Sequence, residues 1–413
     1  MVLKHEKKSM RINVIVVLSL LAMVSVLRAQ EQRKINSINF DHVTNSEGLM
    51  HNSIDPIYQD SRGYMWLGTV NGLYKYNGDK YRIYNNELGN QNSIIGNRIT
   101  AIIEDSDGVV WIGTSSGLCR YNRDTDSFSR ELINAQSNSS FIFKHNVNTL
   151  FEDDSKTLWV GTSDGLHRLD RGSNGFTLSV YQADSNGVGL SNNYVTQILQ
   201  DDMGLLIGTR KGLNRLIFKE GSELEIKRIL HKDLEDLFVL SMIIDVNSNV
   251  WVGTNTGLHK IAYSSGNNFD VSKNVLKTID KSLSQVSINS LLRHDKSRIW
   301  IGTKKLGLIH LNHENNKVRF FEHDIVNAQS LRSNEINVIT KDNSGLIWIG
   351  TARGGVSKLD LQKKRIEHIK NHVIDPLSLS GNIVNSIYED SEKNIWVGTF
   401  GSGLNVFADQ PKD

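Results

Sequence analysis

All seven tryptophans of this chain stand in one motif, W-x-G-T, at Trp66, Trp111, Trp159, Trp251, Trp300, Trp348 and Trp396. An eighth copy, "LIGT" from Leu206, carries Leu in the tryptophan position. Successive copies lie 45 to 49 residues apart. The intervening sequence is made of short β-branched runs, and strand-built repeats of this length are the signature of propeller blades. Helical repeats of the same length would show apolar residues at 3.6-residue spacing, which the sequence lacks. Three prolines, 33 glycines and 38% hydrophobic residues fit a globular, nearly all-β chain.

One unit can be read in full from the second copy. "NRITAIIED" (Asn97–Asp105) reads as a first strand, "VVWIGT" as a second, "LCRYN" as a third and "SFSRELI" as a fourth, with "SDG" and "SSG" as tight turns. Four strands make one blade, and blades stacked face to face give each strand a continuous apolar run. The Trp is expected to fill the space between neighbouring blades. Burying it removes ~200 Å² from water, at most about 5 kcal/mol at ~25 cal/mol per Å². Gly161 and Gly165 are expected where backbones approach closely or adopt positive φ, and Thr162 is expected to bond the turn backbone. The D-x-x-G stretches at Asp60, Asp105, Asp201 and Asp342 read as hairpin turns in which Asp caps its own backbone. They offer too few oxygens for calcium loops.

Eight first-to-third-strand units and seven intervening fourth strands leave one strand missing, and "KINSINFDHV" (Lys34–Val43) supplies it. The segment count favours an eight-bladed ring closed by the N-terminal strand, with seven blades plus one extra unit as the alternative. Ahead of that strand, Lys4, Lys7, Lys8 and Arg11 precede an apolar run from Ile12 to Leu27, so residues 1–29 read as a signal peptide and 30–413 as the mature propeller. The chain is then exported to the periplasm, with membrane attachment only through an uncleaved N-terminal segment. Cys119 is the single cysteine, so no intrachain disulfide forms, and it reads as a small core residue. A formal net charge of +2 gives no general pull toward nucleic acid.

Copies such as "NSIYEDSEKNIWVGTFGSGLNVF" (Asn385–Phe407) and "SLRSNEINVITKDNSGLIWIGTARGGVSKLD" (Ser330–Asp360) closely resemble the regulator-propeller repeats in the exported sensor part of hybrid two-component systems. The resemblance covers residues 36 to 413. It implies sensing of oligosaccharides released from complex polysaccharides. In that family two seven-bladed propellers precede a β-sandwich, a membrane helix, a histidine kinase, receiver modules and a DNA-binding domain. Here the sequence ends after eight repeats, so the expectation is a ligand-sensing module without its own kinase. It is either part of a longer sensor, whose further propeller and kinase domains are its partners, or a stand-alone module. A homodimer is also open.

Long connections join fourth strands to the next first strand, as in "NNELGNQNSIIG" from Asn85, "NAQSNSSFIFKH" from Asn134, "QADSNGVGLSN" from Gln182 and "HDIVNAQSLRS" from His323. Together with the second-to-third turns they are expected on one face around the central channel, where binding commonly resides. In the variable slots of G-T-x-x-G, Arg210, Lys211, Lys304, Lys305 and Arg353 gather against the single acid Asp164. Such a patch attracts an anionic ligand, and Arg can fork a carboxylate or sulfate, so an acidic oligosaccharide is the candidate ligand. The plainer reading is a solvated rim. Phe400, Tyr84 and Tyr181 are candidates for sugar stacking, against ordinary blade packing. No G-x-S-x-G, H-E-x-x-H or phosphate-cradling loop occurs, and His310 with His313 has no third ligand nearby, so no catalytic, metal or cofactor residues are assigned. A structural or protein-binding propeller is the alternative function, ahead of a propeller-based lyase or hydrolase.

Overall fold

A computed structural model describes residues 38–407 apart from 44–48, 50, 185, 220–223, 264–268, 363–368 and 372–377. The expected signal segment, 1–29, lies outside the described residues. Two compact units result, the first ending at Leu361 and the second beginning at Gln362.

The first unit contains seven four-stranded antiparallel sheets. Blades 1 to 6 span residues 54–84, 99–129, 147–181, 195–229, 239–271 and 288–321, with their strands in chain order. Blade 7 has three strands within 336–359, and its outer edge comes from the N-terminus. The strand Asp41–Val43 pairs antiparallel with Val356–Leu359, placing Asp41 opposite Lys358 and Val43 opposite Val356. Blade 7 also packs on blade 1. Trp348 shares an apolar cluster with Ile54, Ile57, Leu67 and Tyr74, and the Asn343 N–H donates to Gln59 Oε1 at 2.7 Å.

The ring therefore closes at seven blades, which corrects the favoured eight-bladed reading and leaves its alternative, seven plus one. The physical reason is that blade 1 already covers the Trp348 face, so no gap remains for an eighth sheet. Counting segments could not reveal this, because the N-terminal strand completes either blade equally well on paper.

The tryptophans pack between neighbouring sheets as expected. Trp66 clusters with Ile99, Val110 and Ile112 of blade 2, and Trp111 with Val147, Leu158 and Val160 of blade 3. Each indole also needs an acceptor for its buried N–H. The Asp six residues upstream provides it, through bonds of 2.5 to 3.0 Å from Trp66 to Asp60, Trp111 to Asp105, Trp159 to Asp153, Trp251 to Asp245 and Trp348 to Asp342. The second oxygen of each carboxylate accepts backbone N–H groups of the turn, as Asp60 does from Arg62 and Tyr64. The expected turn capping is present, and the same side chain also fixes the wedge.

Two blades depart from this scheme. In blade 4, where Leu206 replaces Trp, Asp201 instead holds Arg215 at 2.6 and 2.7 Å. In blade 6 the acceptor position is His294, and Trp300 Nε1 is buried without a partner. His294 Nδ1 lies 2.8 Å from His310 Nε2, and His310 stacks on Trp300 with ring centroids 4.0 Å apart. Burial and the neighbouring His294 push His310 down to about 4.

The G-T turns follow the expected chemistry. Thr162 Oγ1 donates to Gly165 O at 2.9 Å and accepts the Asp164 N–H at 3.0 Å. At Gly161 a Cβ would sit 2.5 Å from Thr149 and 2.6 Å from Val195 of the next blade, so a side chain there would push the blades apart. Cys119 is buried, as expected.

The second unit contains one three-stranded sheet, Val384–Glu389, Ile395–Thr399 and Gly403–Phe407. It keeps the Trp396 to Asp390 bond at 2.8 Å but exposes Ile387, Tyr388 and Leu404.

Removing Asp105 strands the Trp111 N–H and takes one carboxylate from the Arg171 guanidinium, which keeps Asp107 and Glu152. Asp105→Ala is expected to cost about 3 kcal/mol in denaturant unfolding. The pair His294→Asp with His310→Lys recreates the Asp245/Lys260 arrangement of blade 5 and is expected to gain about 1 kcal/mol. Because the folded-state pKa of His310 lies below the ordinary histidine value, its contribution is complete above about pH 6.5 and is lost as pH falls toward 4. Thermal unfolding across that window is expected to show an acid loss in the native chain that is reduced in the double variant.

Candidate functional site

The turn slots and the connections preceding each first strand lie on one face, because they are tied together. Arg210 N donates to Tyr194 O at 3.1 Å, Lys304 N to Ser287 O at 3.1 Å and Ala352 N to Glu335 O at 3.0 Å. Arg210, Lys211, Lys304, Lys305 and Arg353 are all exposed on this face. Only the blade 4 pair has described partners. Lys211 Nζ lies 3.3 Å from Asp236 Oδ1. The Arg210 guanidinium sits 3.6 Å over the Tyr194 ring and 5.4 Å from that of Phe238. Stacking of this kind occupies the guanidinium face and leaves its edge N–H groups available for an anion.

A cavity of about 260 Å³ opens beside Lys211, lined also by Ser191, Arg228, Leu230, Glu235 and Asp236. Its charge is mixed, since the loop acids offset the slot cations. The patch is therefore less purely cationic than the turn slots alone imply.

Phe400 is exposed, but it lies in the second unit. Tyr84 and Tyr181 serve packing. Tyr84 stacks on Trp66 at 6.1 Å and Tyr181 lies 6.1 Å from Trp159, so the plainer reading holds for both. The aromatic residues that do reach the loop face, Tyr194 and Phe238, were not among the sequence candidates. Their signal is weak: an aromatic directly before the Val that opens a first strand, in "NNYV" and "DLFV".

Three of the connections are less irregular than their sequences suggest. Each buries one apolar residue, Ile94, Leu190 or Leu331. Each is also closed by an Asn side chain, Asn97 accepting from Asn86 N, Asn193 from Ala183 N and Asn334 from His323 N, all at 2.6 Å. The fourth differs, forming a hairpin of Glu131–Ile133 with Ser140–Ile142. Arg228 further clamps its connection by donating to the carbonyls of Gly189 and Leu190 at 3.1 and 3.0 Å. The face is thus a set of rigid brackets whose tips alone vary.

The first strands of all seven blades wall a central channel of about 450 Å³. Four of its second-residue positions latch adjacent blades. Asn148 Nδ2 donates to Val195 O at 2.8 Å, Thr196 Oγ1 to Val239 O at 2.7 Å, Asn289 Nδ2 to Ile336 O at 2.9 Å and Asn337 Nδ2 to Ile54 O at 3.1 Å. Asp55 occupies the same position in blade 1. Surrounded by protein while facing the channel, its carboxyl is pushed up to about 7, against the pull of Arg98.

W-x-G-T sheets closed into a ring, with bracketed connections on one face, define a β-propeller. Four of its repeats match the family model described as the two component regulator propeller, at residues 48–71, 93–116, 330–353 and 378–401. The structure is similar to the extracellular domain of a hybrid two-component system of B. thetaiotaomicron, with 28% identity, a TM-score of 0.67, and coverage of 90% of this chain and 48% of that one. A second such domain from B. thetaiotaomicron matches at 24% identity and a TM-score of 0.62, over 91% of this chain and 48% of that one. The chain thus spans about half the length of these solved domains. Virginiamycin B lyase of Staphylococcus aureus shares the fold alone, at 14% identity and a TM-score of 0.54 over 79% of this chain and 99% of the lyase. The comparison with curated proteins gave no match. Among the described residues no helix is long and apolar enough to cross a membrane.

Phe238→Ala removes one of the two rings beside Arg210 without opening the blade core. It is expected to leave the unfolding temperature within about 2 °C of the native value, because the ring is only partly buried. Differential scanning calorimetry checks this, and a larger loss would mark the ring as scaffold.

Proposed function

We propose that this chain is the exported, ligand-sensing propeller portion of a two-component regulatory system, and that it binds oligosaccharides carrying carboxylate or sulfate groups on its loop face. The observation that carries the reading is the Arg210 guanidinium stacked over Tyr194 and near Phe238, next in sequence to Lys211 of the cavity. Aromatic faces suit the apolar face of a pyranose ring, and a guanidinium edge suits a bidentate anion. Lys304, Lys305 and Arg353, exposed on blades 6 and 7 of the same face, add long-range attraction.

Periplasmic placement rests on the basic and apolar N-terminal sequence and on the similarity to extracellular domains. Signal output then depends on a histidine kinase and further propeller repeats in a longer sensor. The second unit supports this: its sheet exposes Ile387 and Tyr388, which neighbouring repeats would cover. A protein-binding propeller is the second reading, favoured by the mixed charge of the blade 4 cavity.

The test is calorimetric titration with uronic or sulfated oligosaccharides and their neutral counterparts. Arg210→Ala with Lys304→Ala is expected to weaken the acidic ligands about 30-fold, the equivalent of ~2 kcal/mol for a lost charge-assisted hydrogen bond, and to spare the neutral ones. Unchanged affinity for acidic ligands would remove the patch from the site. Absence of any glycan binding, with capture of a protein partner on the same face, would favour the second reading.

A further inference from the structure

One backbone hydrogen bond recurs along the inner rim of the loop face. In blade 2 Ser115 N donates to Arg98 O at 3.0 Å, as Arg210 N does to Tyr194 O in blade 4 and Lys304 N to Ser287 O in blade 6. Blades 3, 5 and 7 repeat it. In each case the accepting residue immediately precedes a first strand, and the first strands wall the channel. Arg98 therefore holds in blade 2 the place that Tyr194 holds in blade 4, at the mouth of the channel. It lies outside the turn slots, where the other cations of this face stand.

The Arg98 side chain is exposed, and among the described residues it forms no hydrogen bond and no contact ion pair. Its charge acts on Asp55, a residue of the channel wall, which puts the guanidinium on the channel side of the rim. Asp55 does not neutralise it fully. Burial holds that carboxyl up to about 7 in spite of Arg98, so near neutral pH the acid is only partly ionised. An exposed arginine of this kind contributes little to folding. It keeps its forked N–H edge for an external anion.

Arg210 is held at blade 4 against the rings of Tyr194 and Phe238, so the two guanidinium groups stand at the channel mouth with blade 3 between them. The rim residues of blade 3, Asn146 and Ser163, are neutral, and its slot acid, Asp164, accepts from Gln182 Nε2 at 3.3 Å. On the opposite side of the mouth, Glu335 on the rim of blade 7 disfavours an anion. We propose that Arg98 is a second anion-contacting residue of this face, and that the ligand is a chain carrying at least two anionic groups, one on Arg98 and one on Arg210, laid over the neutral rim of blade 3. The inference rests on the acidic-glycan function proposed for the face and narrows its ligand to an acidic oligosaccharide of several residues, in preference to a single charged sugar.

The experiment is calorimetric titration of the mature chain with two acidic tetrasaccharides, one uronic and one sulfated. Arg98→Ala is expected to weaken the tetrasaccharide that binds about tenfold, the loss of one charge-assisted contact. Arg319→Ala, which removes the same charge from the exposed outer strand of blade 6, is expected to change it less than twofold. Arg98→Ala combined with Arg210→Ala is expected to weaken binding about a hundredfold, because contacts to separate anionic groups add. An Arg98→Ala affinity within twofold of that of Arg319→Ala, or a double variant no weaker than Arg210→Ala alone, would overturn the proposal while leaving the acidic-glycan function in place. If neither tetrasaccharide binds the native chain, that function fails and this inference with it.

Discussion

The hydrogen bond from a buried indole to the aspartate six residues before it is the interaction on which this structure depends. A tryptophan supplies enough apolar surface to fill the gap between two sheets, but it brings an N–H that a dry interface cannot leave unpaired. The aspartate resolves this and uses its other oxygen to fold the turn that aims the tryptophan-bearing strand. Local turn geometry and long-range blade packing are thereby set by one side chain. The exceptions follow the same logic: without the indole, Asp201 takes Arg215, and without the carboxylate, Trp300 is covered by His310.

Given that wedge, the remaining parts divide by radius. Near the axis, short polar side chains stitch the first strands of blades 3, 4, 6 and 7 to the next blade and leave a narrow polar channel. At the outer edge, the N-terminal strand completes blade 7, so chain closure and ring closure coincide. On the loop face, buried leucine or isoleucine anchors and asparagine brackets hold the connections still, so ligand selectivity is left to a few exposed groups. Among these, Arg210 is held against the rings of Tyr194 and Phe238.

Much of the fold was legible in the sequence because its determinants are local and repeated: strand order, tryptophan wedges, the threonine of the G-T turn and the packing of Cys119. The aspartate role was half legible, since the D-x5-W spacing was present while only the turn was read from it. The blade count was not legible, because Asp41–Val43 fits the edge of blade 7 or of a further unit, and only the burial of Trp348 against Ile54 and Tyr74 decides between them. Slot cations could be named from sequence, but their neutralisation could not, as Asp236 approaches Lys211 across a loop. Tyr194 and Phe238 escaped because an aromatic at a strand start looks like core, while Tyr84 and Tyr181, which looked available, are packed on tryptophans.

Closure of the ring at seven blades is the claim most open to direct measurement. A chain of residues 30–361, compared with 30–413 by calorimetry and size-exclusion chromatography, isolates it. The account predicts a monomeric shorter chain with one cooperative transition within a few degrees of the longer one, since every sheet of the ring and its N-terminal edge strand are retained. A shorter chain that fails to fold, or that loses cooperativity, would show that residues 362–413 complete the ring and would contradict the account.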